Sequence, residues 1–270
     1  MSNVFITGAS SGIGAALARQ YAARGDVLGL VARNSEKLQA LIDTLPGDKS
    51  RYHALVADVT KKDDIIAAAR TFEALSGGAD IVIANAGISI GCKTEFYEDL
   101  EVMEDIYKTN VFAMAYTFHG FIEPMKKRGR GKLVGIASVS GIRGLAGSEA
   151  YGASKSAVIT YNESLRVGLL KTGIKVQTIS PGFVRTPLTS VNPYKMPFVL
   201  SPDEFAERAV KAIESGASYR TIPWQMGILA KVMRIAPNWL WDKIVANRKQ
   251  KPRLVKKSIM SSEAQSAKSE

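Results

Sequence analysis

Residues 4–14 read VFITGASSGIG. A short apolar run meets three glycines, Gly8, Gly12 and Gly14, and residues 12–24 continue with the spacing of an amphipathic helix. A strand, a glycine turn and a helix in that order form the first half of a crossover unit. Working outward, runs rich in Val and Ile recur as DVLGLVA, YHALVA, DIVIA, GKLVGIAS and KVQTIS, six in all with the first. Between and after them, 35–45, 62–75, 99–127, 150–172 and 203–215 read as helices, with Gly173 expected to close the fifth helix as its C′ residue. Strands alternating with helices predict an α/β fold, a doubly wound parallel sheet with helices on both faces. Pro181, Pro187, Pro193 and Pro197 mark 183–200 as an irregular loop or lid.

The 270 residues are 46% hydrophobic and 23% charged, which fits one large soluble domain, taken as 1–222. Neither a signal peptide nor an apolar stretch of spanning length is visible, and the single Cys92 excludes an internal disulfide; a cytoplasmic protein is expected. The net charge of +11 is concentrated late, since residues 219–257 hold ten basic residues against one acid, Asp242. The remainder is near balance, so a general nucleic-acid-binding body is not expected.

Open parallel sheets bind ligands at the carboxyl ends of their strands. There the sequence places TGASSGIG, then Arg33, Asp58, NAG at 85–87, Ser138, and Pro181 with Gly182. Glycine lets backbone N–H groups approach a pyrophosphate, and the helix N-terminus adds unpaired donors and a partial positive charge. Ser10 and Ser11 can donate or cap. The spacing G-x-x-x-G-x-G meets the general dinucleotide fingerprint only in part, so a plain tight turn remains the competing reading. The second strand ends in Ala32 and Arg33 with no carboxylate to hold a ribose 2′-hydroxyl. A cation there suits a 2′-phosphate and favours NADP(H) over NAD(H); the alternative is a solvated loop charge.

Tyr151 and Lys155, four apart, share one helical face, and theirs is the chain's only Y-x-x-x-K. Such a pair can be structural, but Ser138 lies thirteen residues upstream at a strand end. Together they suit carbonyl chemistry. A phenol can give the oxygen its proton, a hydroxyl can polarise that oxygen, and an ammonium can bring down a phenol pKa that is ordinarily near 10. Asn110 sits mid-helix, where asparagine is unfavourable. His53 and His119 are isolated, and no metal site is expected.

TGASSGIG, NAG, Ser138, YGASK and PG with Thr186, over residues 3 to about 187, resemble the short-chain dehydrogenase/reductase family, single-domain type. The resemblance implies a Rossmann-like domain with Tyr151 as acid/base, Ser138 as oxyanion partner, and Lys155 tuning Tyr151 and binding the nicotinamide ribose. It implies that Asn110 bends its helix and holds a water relaying protons from Lys155. It places cofactor contacts along Gly8, Ser10, Ser11, Gly12, Ile13 and Gly14, at Asn85, Ala86 and Gly87, at Pro181, Gly182 and Thr186, and at Asp58 for adenine. It further implies a homodimer or homotetramer acting on a small carbonyl or alcohol. The substrate lining, 140–149 and 183–200, is mostly apolar, with Arg143, Glu149, Arg185 and Lys195 as polar candidates. A non-catalytic NADP(H)-binding adaptor is the alternative from another class.

Residues 223–257 group Trp224, Ile228, Leu229, Val232, Ile235, Trp239, Leu240, Ile244 and Val245 against Lys231, Arg234, Lys243 and Arg248. Two short amphipathic helices broken at Pro237 are expected. Peripheral contact with an anionic membrane, which would favour a lipid-like substrate, and a lid or subunit contact followed by a solvated tail both fit this pattern. Residues 258–270 are read as a disordered tail.

Overall fold

The computed structural model describes residues 1–253. Seven strands, β1 (Asn3–Thr7), β2 (Val27–Ala32), β3 (Tyr52–Val56), β4 (Ile81–Ala84), β5 (Gly131–Ile136), β6 (Ile174–Pro181) and β7 (Tyr219–Ile222), form one sheet in the order β3-β2-β1-β4-β5-β6-β7. Every neighbouring pair is parallel. The chain reverses its direction of winding between β1 and β4, which opens a crevice at the carboxyl edge there. β7 goes beyond the six expected strands. At four residues, with Tyr219 and Arg220 exposed, its sequence YRTI carries little apolar signal.

Alternation along each strand sends side chains to two cores. Val4 and Ile6 face one side, where they meet Leu17 and Tyr21 of α1 (Gly12–Ala22), Leu38 of α2 (Ser35–Thr44) and Phe205 of α7 (Pro202–Ser215). Phe5 faces the other, against Phe72 of α3 (Lys62–Ser76), Phe118 and Phe121 of α5 (Ala113–Arg128) and Val158 of α6 (Glu149–Gly168). This is the doubly wound, Rossmann-like layering that the alternation of elements predicts.

The long segment expected over 99–127 is α4 (Glu98–Tyr107), a π turn (Lys108–Phe112) and then α5. The π turn is centred on Asn110, and in it Ala113 N–H donates to the Lys108 carbonyl, five residues back. The helix over 150–172 stops earlier than expected, at Gly168. Gly173 does not cap it. Its φ is +75°, and a Cβ there would meet the Gly129 carbonyl, so glycine is required by a chain crossing just before β6.

Beyond β6, residues 183–200 form no helix, and the loop is pinned at its base, where Arg185 N–H donates to the Leu200 carbonyl and Leu200 N–H to that of Phe183. α8 (Trp224–Ile235) and α9 (Asn238–Val245) flank Pro237, as expected. The chain then returns to the body as a strap. Arg253 forms a bridge with Gly91 and ion pairs with the buried Asp99 (2.6 Å) and with Glu98 (2.8 Å), and it lies 3.4 Å from the centroid of the Phe96 ring. As far as Arg253 the basic end is therefore docked and not a solvated tail. Residues 258–270 lie outside the described region.

Candidate active site

The turn after β1 places Gly8 and Gly12 at φ +66° and +55°, a region in which side chains are strained. A Cβ on Gly8 would sit 2.8 Å from Ala86 Cα, and one on Gly12 would sit 3.3 Å from Thr186 Cγ2. Helix α1 begins here with Ser11 at its N-cap, and neither a side-chain cap nor an acid in the first turn neutralises its positive end. The bare glycine backbone and the open helix end make an anion cradle.

A cavity of about 560 Å3 runs along this edge. Gly8, Ser10, Ser11, Gly12 and Ile13 line it, together with Arg33, Asp58, Asn85, Ala86, Gly87, Ser138, Tyr151, Lys155, Pro181, Gly182 and Thr186. Two expected site residues do not line it, Gly14 and Asn110. A Cβ on Gly14 would collide with the Gly8 carbonyl oxygen, so glycine at this position lets the helix pack against the turn. Asn85 holds the same turn from behind, with Nδ2 donating to the Thr7 carbonyl at 3.0 Å and to that of Gly8 at 3.3 Å.

At the end of the cavity beside β2 and β3, Arg33 is exposed beyond β2. Asp58 feels burial, which raises its pKa, but N–H and hydroxyl donors from Thr60 and the nearby Arg33 outweigh it and leave the carboxyl below its usual range. The glycine cradle, the open helix end and the exposed cation fit a dinucleotide.

At the other end stand the reacting candidates. Ser138 follows β5 in extended geometry, and its Oγ accepts from Ser140 N–H at 3.1 Å. Tyr151 and Lys155 rise from the first turns of α6. Gly141 and Gly152 allow the Ser138 turn to lie against that helix, since a Cβ on Gly141 would be 2.6 Å from the Lys155 carbonyl carbon and one on Gly152 would be 3.2 Å from the Ser140 carbonyl oxygen. Burial pushes the Tyr151 phenol up, a hydrogen bond with Ser138 pulls it down, and Tyr194 pushes it up; the net direction is upward. Lys155 is 5% exposed and donates to the Ile136 carbonyl at 2.8 Å, and burial lowers its pKa to about 8.

Asn110 is buried behind them. Its Oδ1 accepts from Ile88 N–H at 2.8 Å, and its Nδ2 donates to the Ile88 carbonyl and to Ser154 Oγ, both at 3.0 Å. A Cβ on Gly87 would lie 3.1 Å from that Oδ1 and 3.5 Å from Lys155 Nζ, so the amide and the ammonium approach each other around this glycine.

A second cavity, about 180 Å3, adjoins the first through Ser138, Tyr151 and Gly182. Its wall includes Val139, Leu145, Phe183, Met226 and Met233. Arg143 and Lys195 line it as expected, whereas Glu149 and Arg185 are exposed and do not. Ser89, Met226, Met233, Arg248 and Lys251 line it without having been expected there from the sequence. Ser89 follows the NAG turn; the others come from α8 and the strap, whose return to this site leaves no periodic signature.

A model of the short chain dehydrogenase family matches residues 2–195. An "Uncharacterized oxidoreductase" of Myxococcus xanthus is 39% identical over 237 residues, 88% of this chain and 93% of that protein. Among solved structures, a short-chain dehydrogenase from Sphingobium yanoikuyae in complex with NADPH superposes with a TM-score of 0.74 at 29% identity, covering 88% of this chain and 97% of that one. A 3-ketoacyl-(acyl-carrier-protein) reductase from Brucella melitensis complexed with NADH superposes with a TM-score of 0.74 at 25% identity, covering 82% and 96%.

Proposed function

The chain belongs to the short-chain dehydrogenase family of oxidoreductases, and on that premise we propose that it is an NADP(H)-dependent enzyme interconverting a compact, largely apolar carbonyl compound and its alcohol. The observation that carries this reading is that Ser138 and Tyr151 line both the larger and the smaller cavity, with Lys155 beside them in the larger. A nicotinamide cofactor held by the turn of Gly8, Ser10, Ser11 and Gly12 and by Asn85, Gly87, Pro181 and Gly182 would supply or accept the hydride. Ser138 Oγ holds and polarises the carbonyl oxygen. Tyr151 Oη gives that oxygen its proton, and the Lys155 ammonium eases charge onto the phenol as the proton leaves. Asn110 positions the Lys155 side of the site and steadies a relay of protons from it. An intact acid/base set of this kind would serve no purpose in a purely cofactor-binding adaptor. The exposed side chains of Leu100, Phe112 and Val167 support pairing of copies through the α4 to α6 region.

Preference for NADP(H) rests on Arg33 lining the adenosine end with no acid at the end of β2. A hydrogen bond to a charged group contributes roughly 1.5–3 kcal/mol, about a ten- to hundredfold preference. Initial rates on a panel of small ketones should therefore favour NADPH over NADH, and Arg33→Ala should remove that preference mainly through KM for NADPH. Equal use of both cofactors by the natural chain would sink the preference, and failure of every ketone and aldehyde would sink the reductase reading.

A second reading concerns the outer face of α8 and α9. Trp224 (65% exposed), Ile235 (81%) and Trp239 (71%) stand out beside exposed Lys231, Arg234 and Lys243. No helix of the described residues is long and apolar enough to cross a membrane. An apolar strip edged by bases instead supports peripheral contact with anionic lipid, at about 1 kcal/mol for each base near the surface. The protein should co-sediment with phosphatidylserine vesicles at low salt and less so at high salt. No pelleting at low salt would end this reading.

A further inference from the structure

Lys251 is a lysine in an unusual place. It arrives on the strap after α9, 7% exposed, and Nζ donates to Ser89 Oγ at 2.9 Å and to the Leu188 carbonyl at 3.1 Å. Both acceptors are neutral. No ion pair among the described residues includes Lys251, and burial alone brings its pKa down to about 8, with no neighbouring carboxylate holding it up. Buried charges are ordinarily paired, because an ammonium removed from water without a counter-charge is costly.

The cavity around it repeats the imbalance. Four cations line it, Arg143, Lys195, Arg248 and Lys251, and no acid does. Three have other engagements or lie open to solvent. Arg143 caps the carboxyl end of α8 through the Met233 and Ala236 carbonyls and lies 5.0 Å from the Trp241 ring centroid. Arg248 lies 4.5 Å from the Tyr194 ring centroid, and Lys195 is exposed. Lys251 is the one buried cation of the four, and it shares this cavity with Tyr151 and Ser138. A molecule whose carbonyl meets Tyr151 and whose negative group meets Lys251 would supply the missing counter-charge, and Ser89 Oγ would stand beside that group. The apolar wall between them calls for a carbon-bearing anion, which inorganic phosphate is not. At about 180 Å3 the cavity is smaller than the roughly 300–1,000 Å3 of pockets that take drug-sized ligands, so the carbon body is short.

We propose that Lys251 is a substrate-binding residue that selects small oxo- or hydroxycarboxylates by pairing with their carboxylate. This rests on the oxidoreductase reading above and gives it a substrate class.

The test separates the two. Hexanoate and methyl hexanoate are titrated calorimetrically into the full-length protein, the natural chain and Lys251→Met side by side. In parallel, NADPH oxidation is followed with 5-oxohexanoate and its methyl ester. A charge-assisted hydrogen bond predicts that hexanoate binds about ten- to a hundredfold tighter than its ester, and that Lys251→Met erases the difference by weakening the acid and leaving the ester unchanged. The same ratio should appear in kcat/KM for the two ketones. Lys251→Arg should retain part of the preference for the acid. Equal binding of acid and ester by the natural chain would overturn the proposal. So would an equal loss for both in Lys251→Met, since that pattern belongs to a residue that only latches the strap. Tight hexanoate binding that depends on Lys251, with neither ketone reduced, would uphold the anion site and refute the reductase reading.

Discussion

Replacing Tyr151 with phenylalanine is expected to lower kcat/KM for carbonyl reduction by about 10²- to 10⁴-fold, the usual worth of a positioned acid or base, while NADPH still binds. The change removes one oxygen from a half-buried ring and leaves its packing on α6 intact. Ser138 would keep its contact with Ser140 N–H and could still polarise a carbonyl, so a residual rate should survive. Since burial raises the phenol in the natural protein, the group stays protonated well above neutral pH. Reduction, which consumes that proton, should then hold its rate across the neutral range, and oxidation, which needs the phenolate, should climb with pH. Fluorescence titration of NADPH checks binding, and stopped-flow absorbance checks the hydride step. Turnover within a fewfold of the natural enzyme would remove Tyr151 from the chemistry. Loss of NADPH binding along with turnover would mean the substitution had damaged the site.

Much of the site was legible because parallel sheets concentrate function at one edge, and the motifs fall at strand ends. The turn at 8–14 needs glycine for close approach, and NAG needs it where Gly87 faces Asn110 and Lys155. Where the reading failed, the cause was tertiary. Spacing does not reveal that glycine is needed at Gly14 for packing against the Gly8 carbonyl. Gly173 looked like a helix cap because a left-handed glycine is needed equally at a helix end and where two chains cross. β7 escaped notice because four residues at a sheet edge need little apolar character. Lys251 was counted as one charge in a basic run, and nothing local marks the run as turning back to meet Ser89 and Leu188. The substrate side of the molecule is assembled from segments distant in sequence, so its chemistry surfaces only once they are folded together.

Lys155→Met should separate activity from stability in a way that a merely structural lysine would not. Loss of the ammonium takes away the group that eases charge onto Tyr151, and kcat/KM should fall by about 10²- to 10⁴-fold. Stability should respond in its pH dependence. In the folded chain the Lys155 pKa is lowered by burial from 10.5 to about 8. Below pH 8 the lysine is charged in both states, and its desolvation weighs on the folded one. Between pH 8 and 10 the folded chain has released the proton while the unfolded chain still holds it, so the unfolded state binds more protons and stability rises with pH. The contribution across that window is on the order of 2–3 kcal/mol. Lys251, lowered to about 8 by the same cause, adds a rise of the same sign that remains in the variant. Urea midpoints measured at half-unit steps from pH 7 to 10 should therefore climb more steeply for the natural protein than for Lys155→Met. Parallel curves would show that the ammonium is not desolvated in the folded chain. A flattened curve with unimpaired turnover would show a buried lysine that Tyr151 does not need.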